Sequence, residues 1–160
     1  MSKALVKISA QELKVMDDQA DKTIRNWSFG SLAANLLPPP FDMIAVGSAF
    51  ARMGARLGEI YGVQVSWPVL KSLGKAVAKG LGAVVAASYI GTGIFKYIPG
   101  VNIWVALLIQ PPIVAAVAYS AGHAFKQYFH IQITEGRDLS PEQISKLAEA
   151  ALHNRLESIA

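Results

Sequence analysis

Hydrophobic and polar positions divide this chain into two long stretches with almost no charge and two amphipathic segments at its ends. Residues 26–51 contain a single charged residue, Asp42. Residues 80–125 also contain a single one, Lys96, when the histidine at position 123 is neutral. Prolines interrupt both stretches and end the helices that precede them, so each stretch predicts a helical hairpin with a proline-containing turn.

The longer hairpin is predicted over residues 68–130, with apolar arms at 80–95 and 103–125. Each arm approaches the roughly 17–25 residues with which an α-helix crosses the core of a bilayer. The pattern therefore favours a pair of transmembrane helices. The turn between the arms is predicted at Pro99 and Gly100.

The shorter hairpin, predicted over residues 28–62, turns at three consecutive prolines. These prolines remove three amide donors and keep the residue before them out of the helical region, so one helix has to end there. Asp42 then lies in the first turn of the next helix, where exposed amides favour a carboxylate. The turn residues are Pro38, Pro39 and Pro40.

Amphipathic helices are predicted at both ends of the chain, over residues 9–27 and 140–158. Each begins with a capping box, at Ser9 and Ser140, and continues with apolar residues at three- and four-residue spacing. The four segments together predict an all-α protein. We expect one helical domain over residues 1–160, a bundle of two proline-turned hairpins with amphipathic N- and C-terminal helices.

Three glycines spaced four residues apart form a smooth ridge on the second arm of the shorter hairpin. A glycine inside a helix costs about 1 kcal/mol relative to alanine, so the repeat indicates close approach of another helix. We expect the ridge to serve helix packing or self-association, and its last glycine to end the helix. The glycines are Gly54, Gly58 and Gly62.

Lysines flank the longer hairpin on both sides, which is typical of helices that enter a membrane from its positive side. Three of them recur every four residues before the first arm, and a fourth follows the second arm. This distribution predicts that both termini lie on the cytoplasmic side. The lysines are Lys71, Lys75, Lys79 and Lys126.

Composition agrees with a protein that covers much of its surface with lipid or with other chains. Of its 160 residues, 52% are hydrophobic and 16% are charged, whereas about 25% are charged in an average soluble domain. The net charge of +4 suits an anionic lipid surface. The basic residues do not form one stripe with interleaved aromatic residues, so nucleic acid is not an expected partner.

Catalytic and metal-binding signatures are missing from the sequence. There is no cysteine, which excludes disulfides, thiolate metal ligands and a cysteine nucleophile. The glycine-containing segment 91–96 lacks the spacing of a phosphate-binding loop. His123 and His130 have no carboxylate near them in the sequence that would complete a metal site. We therefore expect neither enzyme activity nor a cofactor.

Asp42 and Lys96 are predicted to form a partly buried ion pair. If the two hairpins lie side by side with their turns level, Asp42 begins one helix and Lys96 ends another. Each charge then lies at the end of a helix dipole that favours it. The alternative is that the two side chains reach water independently of each other.

Several short motifs, in the order in which they occur here, resemble those of the domain-of-unknown-function 697 family. The motifs are Leu36–Asp42, Ile60–Val63, Tyr97–Gly100, Ala118–Gly122 and Tyr128–Phe129. The resemblance covers roughly Lys22 to Gly136. It implies an all-helical module of bacterial membranes, as in the YcjF-type proteins, found beside or fused to a GTPase. It supplies no catalytic residues, and we expect a stand-alone version whose GTPase is a separate partner.

The leading functional expectation is a non-enzymatic module of the bacterial inner membrane that embeds its hairpins in the lipid and self-associates. Such a module would be a scaffold or a membrane-remodelling partner of a GTPase. One alternative is a soluble, cytoplasmic adaptor that buries its apolar arms in a homo-oligomer. Another is an oligomeric membrane pore or channel.

Overall fold

The computed structural model describes residues 8–34, 43–92 and 101–159, with side chains described for 8–28, 50–81 and 115–158. The described part of the chain is α-helical and contains no strand, so the predicted all-α helical bundle is confirmed. Its helices are α1 (Ala10–Ala34), α2 (Met43–Ile60), α3 (Trp67–Thr92), α4 (Val101–Glu135) and α5 (Pro141–Ile159).

Both predicted capping boxes are present. The Ser9 amide donates to Glu12 Oε2 at 2.9 Å, and the Glu12 amide donates to Ser9 Oγ at 3.2 Å. The bond from the Ser9 amide favours the ionised carboxylate and lowers the pKa of Glu12. Ser140 and Gln143 exchange the same two bonds at 2.9 and 3.2 Å.

The first helix is longer than the sequence pattern predicts. It does not end near residue 27 but continues to Ala34, so the N-terminal helix and the first arm of the shorter hairpin are one element. No proline occurs between residue 10 and residue 34, and a change from amphipathic to uniformly apolar sequence does not break a helix.

The end of α2 follows the prediction for Gly62, which has a left-handed φ of 66°. The Val63 amide donates to the Gly58 carbonyl at 2.9 Å, and the Gly62 amide donates to the Glu59 carbonyl at 3.2 Å. These two bonds form a Schellman motif and satisfy carbonyls that the helix end would otherwise leave unpaired.

Helix α4 occupies the centre of the bundle, because it contacts each of the other four described helices. All five helices contribute side chains to one hydrophobic core. Fully buried members are Ile24, Met53, Leu57, Val77, Leu81, Phe125, Phe129, Ile144 and Leu152.

The close approach of α2 to α4 depends on two glycines. A Cβ atom added at Gly54 would lie 2.6 Å from Cε1 of Phe125, and one added at Gly58 would lie 3.2 Å from Cζ of Phe129. Both distances are shorter than ordinary van der Waals contacts. Gly54 therefore makes room for the ring of Phe125, and Gly58 makes room for the Val63 carbonyl, 2.9 Å from an added Cβ, as well as for the ring of Phe129.

The prediction that the whole of 103–125 is a membrane arm is wrong for its C-terminal part. Ala116, Ala121, Ala124 and Phe125 are at most 2% exposed and lie in the core of the bundle. Helix α4 is apolar in this part because other helices surround it. Among the residues that the structure describes, no helix combines the length and the apolar character needed to cross a membrane.

We predict that Gly54→Ala destabilises the protein. Overpacking a dense core costs about 1–3 kcal/mol, and the new methyl group would lie 2.6 Å from the ring of Phe125. This cost exceeds the gain in helix propensity, which is about 1 kcal/mol. The free energy of unfolding, measured by chemical denaturation with circular dichroism, should fall accordingly.

A matched background tests the contact itself. Phe125→Leu removes the part of the ring that faces residue 54, so Gly54→Ala should cost less in that background than in the wild type. An equal cost in both backgrounds would show that the ring does not set the requirement for glycine.

Candidate functional site

Two polar contacts join α1 to α4. Lys126 Nζ lies 2.7 Å from Asp21 Oδ1, with the lysine side chain only 17% exposed. One turn away on each helix, His130 Nδ1 lies 3.6 Å from Asp17 Oδ1. As residue numbers rise along α1 they fall along α4, so the two helices are antiparallel.

Tyr61 adds α2 to this group. Its hydroxyl donates to Asp17 Oδ1 at 2.5 Å, and its ring stacks on Phe129 with centroids 6.2 Å apart. Burial, followed by the hydrogen bond to the Asp17 carboxylate, raises the pKa of Tyr61 well above its usual value near 10. Tyr61 is therefore a neutral donor that holds the end of α2 against α1.

The sequence did not reveal this cluster. Asp17 and Tyr61 are 44 positions apart, and Asp21 and Lys126 are 105 positions apart. His130 has no carboxylate near it in the sequence, but the fold brings Asp17 of α1 beside it. The only signal in the sequence is that both aspartates lie on the polar side of a predicted amphipathic helix.

Helix directions bring the uncharged segments together. Gly54 faces Phe125 and Gly58 faces Phe129, so α2 runs parallel to α4. α3 follows α2 through the short turn at 61–66 and packs against it, so it runs back in the opposite direction. Consequently, one end of the bundle brings together the end of α1, the start of α2, the end of α3 and the start of α4.

We call this part of the molecule the uncharged end. It consists of the helical segments that contain no Asp, Glu, Lys or Arg and lie beyond the described core side chains. These segments are residues 28–34, 43–49, 82–92 and 101–114.

An open groove of about 440 Å³ lies between α1 and α2. Its lining is mainly polar and includes two cations and one anion. The anion, Glu59, pairs with Arg56 at 2.8 Å, but both side chains are about two-thirds exposed and the pair contributes little stability. The lining residues are Gln19, Lys22, Thr23, Arg56, Glu59 and Ile60.

The predicted glycine ridge is used within the chain. Gly54 and Gly58 are buried against α4, and Gly62 terminates α2. This face is therefore occupied by α4 and is not open to a second copy. Gly122 and Gly80, which the sequence analysis did not single out, also allow close helix contacts. A Cβ added at Gly122 would lie 2.7 Å from the side chain of Ile24, and one added at Gly80 would lie 2.6 Å from the Ser145 carbonyl oxygen.

The predicted flanking lysines differ in their surroundings. Lys71, Lys75 and Lys79 are exposed on α3. Lys126 is instead engaged with Asp21 between two helices.

The other positions predicted from the sequence lie outside the described residues. They are the turn residues Pro38, Pro39, Pro40, Pro99 and Gly100 and the ion pair of Asp42 with Lys96. The pair remains a prediction.

His123 contacts Tyr119 on α4, and Arg155 of α5 lies over the ring of Tyr119. The ring centroid of His123 lies 4.3 Å from that of Tyr119, and the guanidinium of Arg155 lies 4.7 Å from the Tyr119 centroid. Burial is the main cause that lowers the pKa of His123. Within the described ranges, no three His, Cys, Asp or Glu side chains are grouped so that they could hold a metal ion.

Comparison with known proteins gives one family and one curated relative. A family model described as Domain of unknown function (DUF697) matches residues 2–155. The chain is similar to magnetosome membrane protein 22 of Magnetospirillum gryphiswaldense, with 32% identity over 115 residues that cover 69% of this chain and 57% of the relative. The chain thus spans little more than half the length of that relative. No solved structure matches.

We predict that Tyr61→Phe lowers stability by about 1.5–3 kcal/mol at neutral pH, the usual worth of a hydrogen bond to a charged group. The loss should shrink as the pH rises above about 10. In the unfolded chain Tyr61 ionises near its usual pKa, but in the folded protein its pKa is raised, so its contribution is present below pH 10 and lost above it.

The measurement is the free energy of unfolding of both proteins across this pH range. Asp17→Asn is the companion variant, since it keeps an acceptor near Tyr61 but removes the charge. A difference between wild type and Tyr61→Phe that stays constant up to about pH 11 would contradict the raised pKa.

Proposed function

We propose that this chain, which belongs to the domain-of-unknown-function 697 family, is a non-enzymatic helical module associated with a bacterial membrane. The observation that carries the proposal is the uncharged end. Four helices place segments without charged residues on one side of the bundle, and such a surface favours lipid over water.

The curated relative supports the same function. Its name places it in the magnetosome membrane, and it shares 32% of residues with this chain over the matched region. The family description assigns no function and no reaction.

The depth of insertion follows from helix lengths. Beyond the described core side chains, α3 continues from residue 82 to Thr92 and α4 begins at Val101 and runs to residue 114. At 1.5 Å per residue these segments measure about 16 and 21 Å, which is less than the roughly 30 Å of a bilayer core. We propose that the uncharged end enters the membrane from one side, with both termini in the cytoplasm.

Two finer parts of the proposal concern partners. The family resemblance implies a GTPase as a partner, and any nucleotide hydrolysis would belong to that protein. Self-association is the second part. Since Gly54 and Gly58 are buried against α4, copies would meet through other faces than the glycine ridge, including the small residues of the uncharged end.

We predict that the expressed protein sediments with membranes, resists high salt and alkaline carbonate, and is released by detergent. An embedded apolar end is held by the hydrophobic effect, which neither salt nor alkali removes. Release by high salt would point to a purely electrostatic attachment. Recovery in the supernatant without any wash would contradict the proposal and favour the soluble adaptor.

A second prediction concerns the uncharged end directly. Val85→Arg and Leu107→Arg together should shift the protein from the membrane fraction to the supernatant, since an arginine inside a bilayer costs about 2.5–3.5 kcal/mol. The matched control is Ser72→Arg with Gln127→Arg, which adds the same charges at exposed positions of the same two helices. Loss of folding in the first pair alone would support assembly of a soluble oligomer instead.

A further inference from the structure

We propose that the face of α1 and α2 beside their groove binds the phosphates of anionic phospholipid head groups. We call it the basic face, and it consists of Lys22, Arg25, Arg52 and Arg56. The inference rests on the proposed membrane association and adds to it a ligand class and an orientation of the bundle on the lipid.

Charge is the first observation. Lys22 and Arg56 line the groove. Arg25 follows Lys22 by three residues, and Arg52 precedes Arg56 by four, so each pair shares one face of its helix. Among the described residues, no carboxylate forms an ion pair with Lys22, Arg25 or Arg52. Arg56 does form one, with Glu59, at an exposed position.

Position is the second observation. Arg25 lies about 4.5 Å nearer the uncharged end than Lys22 along α1, and Arg52 lies about 6 Å nearer that end than Arg56 along α2. The basic face therefore borders the segments that enter the lipid in the proposed function. Head groups form a layer directly outside the hydrocarbon core, which is where these cations would lie.

Trp27 is the third observation. Its side chain is 36% exposed, and it lies one turn beyond Thr23, a lining residue of the groove. Tryptophan favours the boundary between lipid and water, because its ring is apolar and its N–H can find a polar partner. Along α1, a groove with a cation on each side comes first, an exposed tryptophan second and uncharged helix third. This is the order in which a membrane presents head groups, the boundary region and hydrocarbon.

The test uses the full-length protein and flotation with vesicles of phosphatidylcholine alone or mixed with phosphatidylglycerol. We expect Lys22→Gln with Arg56→Gln, and separately Arg25→Gln with Arg52→Gln, to weaken binding to the mixed vesicles about 30-fold, or about fivefold per charge. Binding to phosphatidylcholine alone should not change.

The matched control is Lys14→Gln with Arg137→Gln. Both residues are exposed; Lys14 lies about 21 Å along α1 from the uncharged segment that starts at residue 28, and Arg137 follows the C-terminus of α4. Their removal lowers the net charge by the same two units. Because they lie farther than a Debye length from the lipid in the proposed orientation, the loss should be less than about threefold. Circular dichroism of every variant checks the fold.

Each other outcome has a definite meaning. If the control weakens binding as much as the basic-face variants, or if no variant does, the head-group site is wrong while membrane association stands. If inorganic phosphate binds to the wild type in calorimetry, and the basic-face variants lose this binding but keep their binding to mixed vesicles, the face takes free phosphate and the lipid assignment is wrong. If the wild type binds neither vesicle, the proposed function itself is overturned.

Discussion

The close approach of α4 to its neighbours is the constraint on which the rest of the structure depends. Gly54 receives the ring of Phe125, and Gly122 receives the side chain of Ile24, at distances where any added Cβ would meet the partner at 2.6–2.7 Å. A large side chain fits only where a glycine faces it, so these contacts allow one register between the helices. That register sets the direction of α1 and α2 relative to α4.

The ion pair of Asp21 with Lys126 specifies this arrangement more than it stabilises it. Asp21 is 47% exposed in its pair with Lys126, and exposed ion pairs contribute about 0–1 kcal/mol. A shift of α1 by one turn, however, would in one direction bring Arg25 opposite Lys126, and in the other direction bring Leu13 opposite Tyr61 in place of Asp17. A partly buried charge without a partner is costly, so alternative registers are disfavoured even though the native one gains little.

The local parts of this fold could be predicted from the sequence. The capping boxes at Ser9 and Ser140 and the left-handed Gly62 depend on residues within one or two turns of each other, and each is present. The contacts between helices could not be predicted in the same way. The glycine ridge indicated a close neighbour but not which one, and Asp21 and Lys126 carry no mark in the sequence that connects them.

The misassigned part of α4 shows why an apolar helix is ambiguous. Hydropathy reports that a segment avoids water, but it does not report whether protein or lipid replaces the water. In α4 the part that includes Ala121 and Phe125 is surrounded by other helices. The preceding segment, 101–114, belongs to the same unbroken helix. Whatever holds the first part in the bundle therefore also sets the position of the second. If the uncharged end enters a membrane, its depth depends on the packing of the core, and substitutions at Gly54 or Gly122 would alter membrane binding without touching a lipid-facing residue.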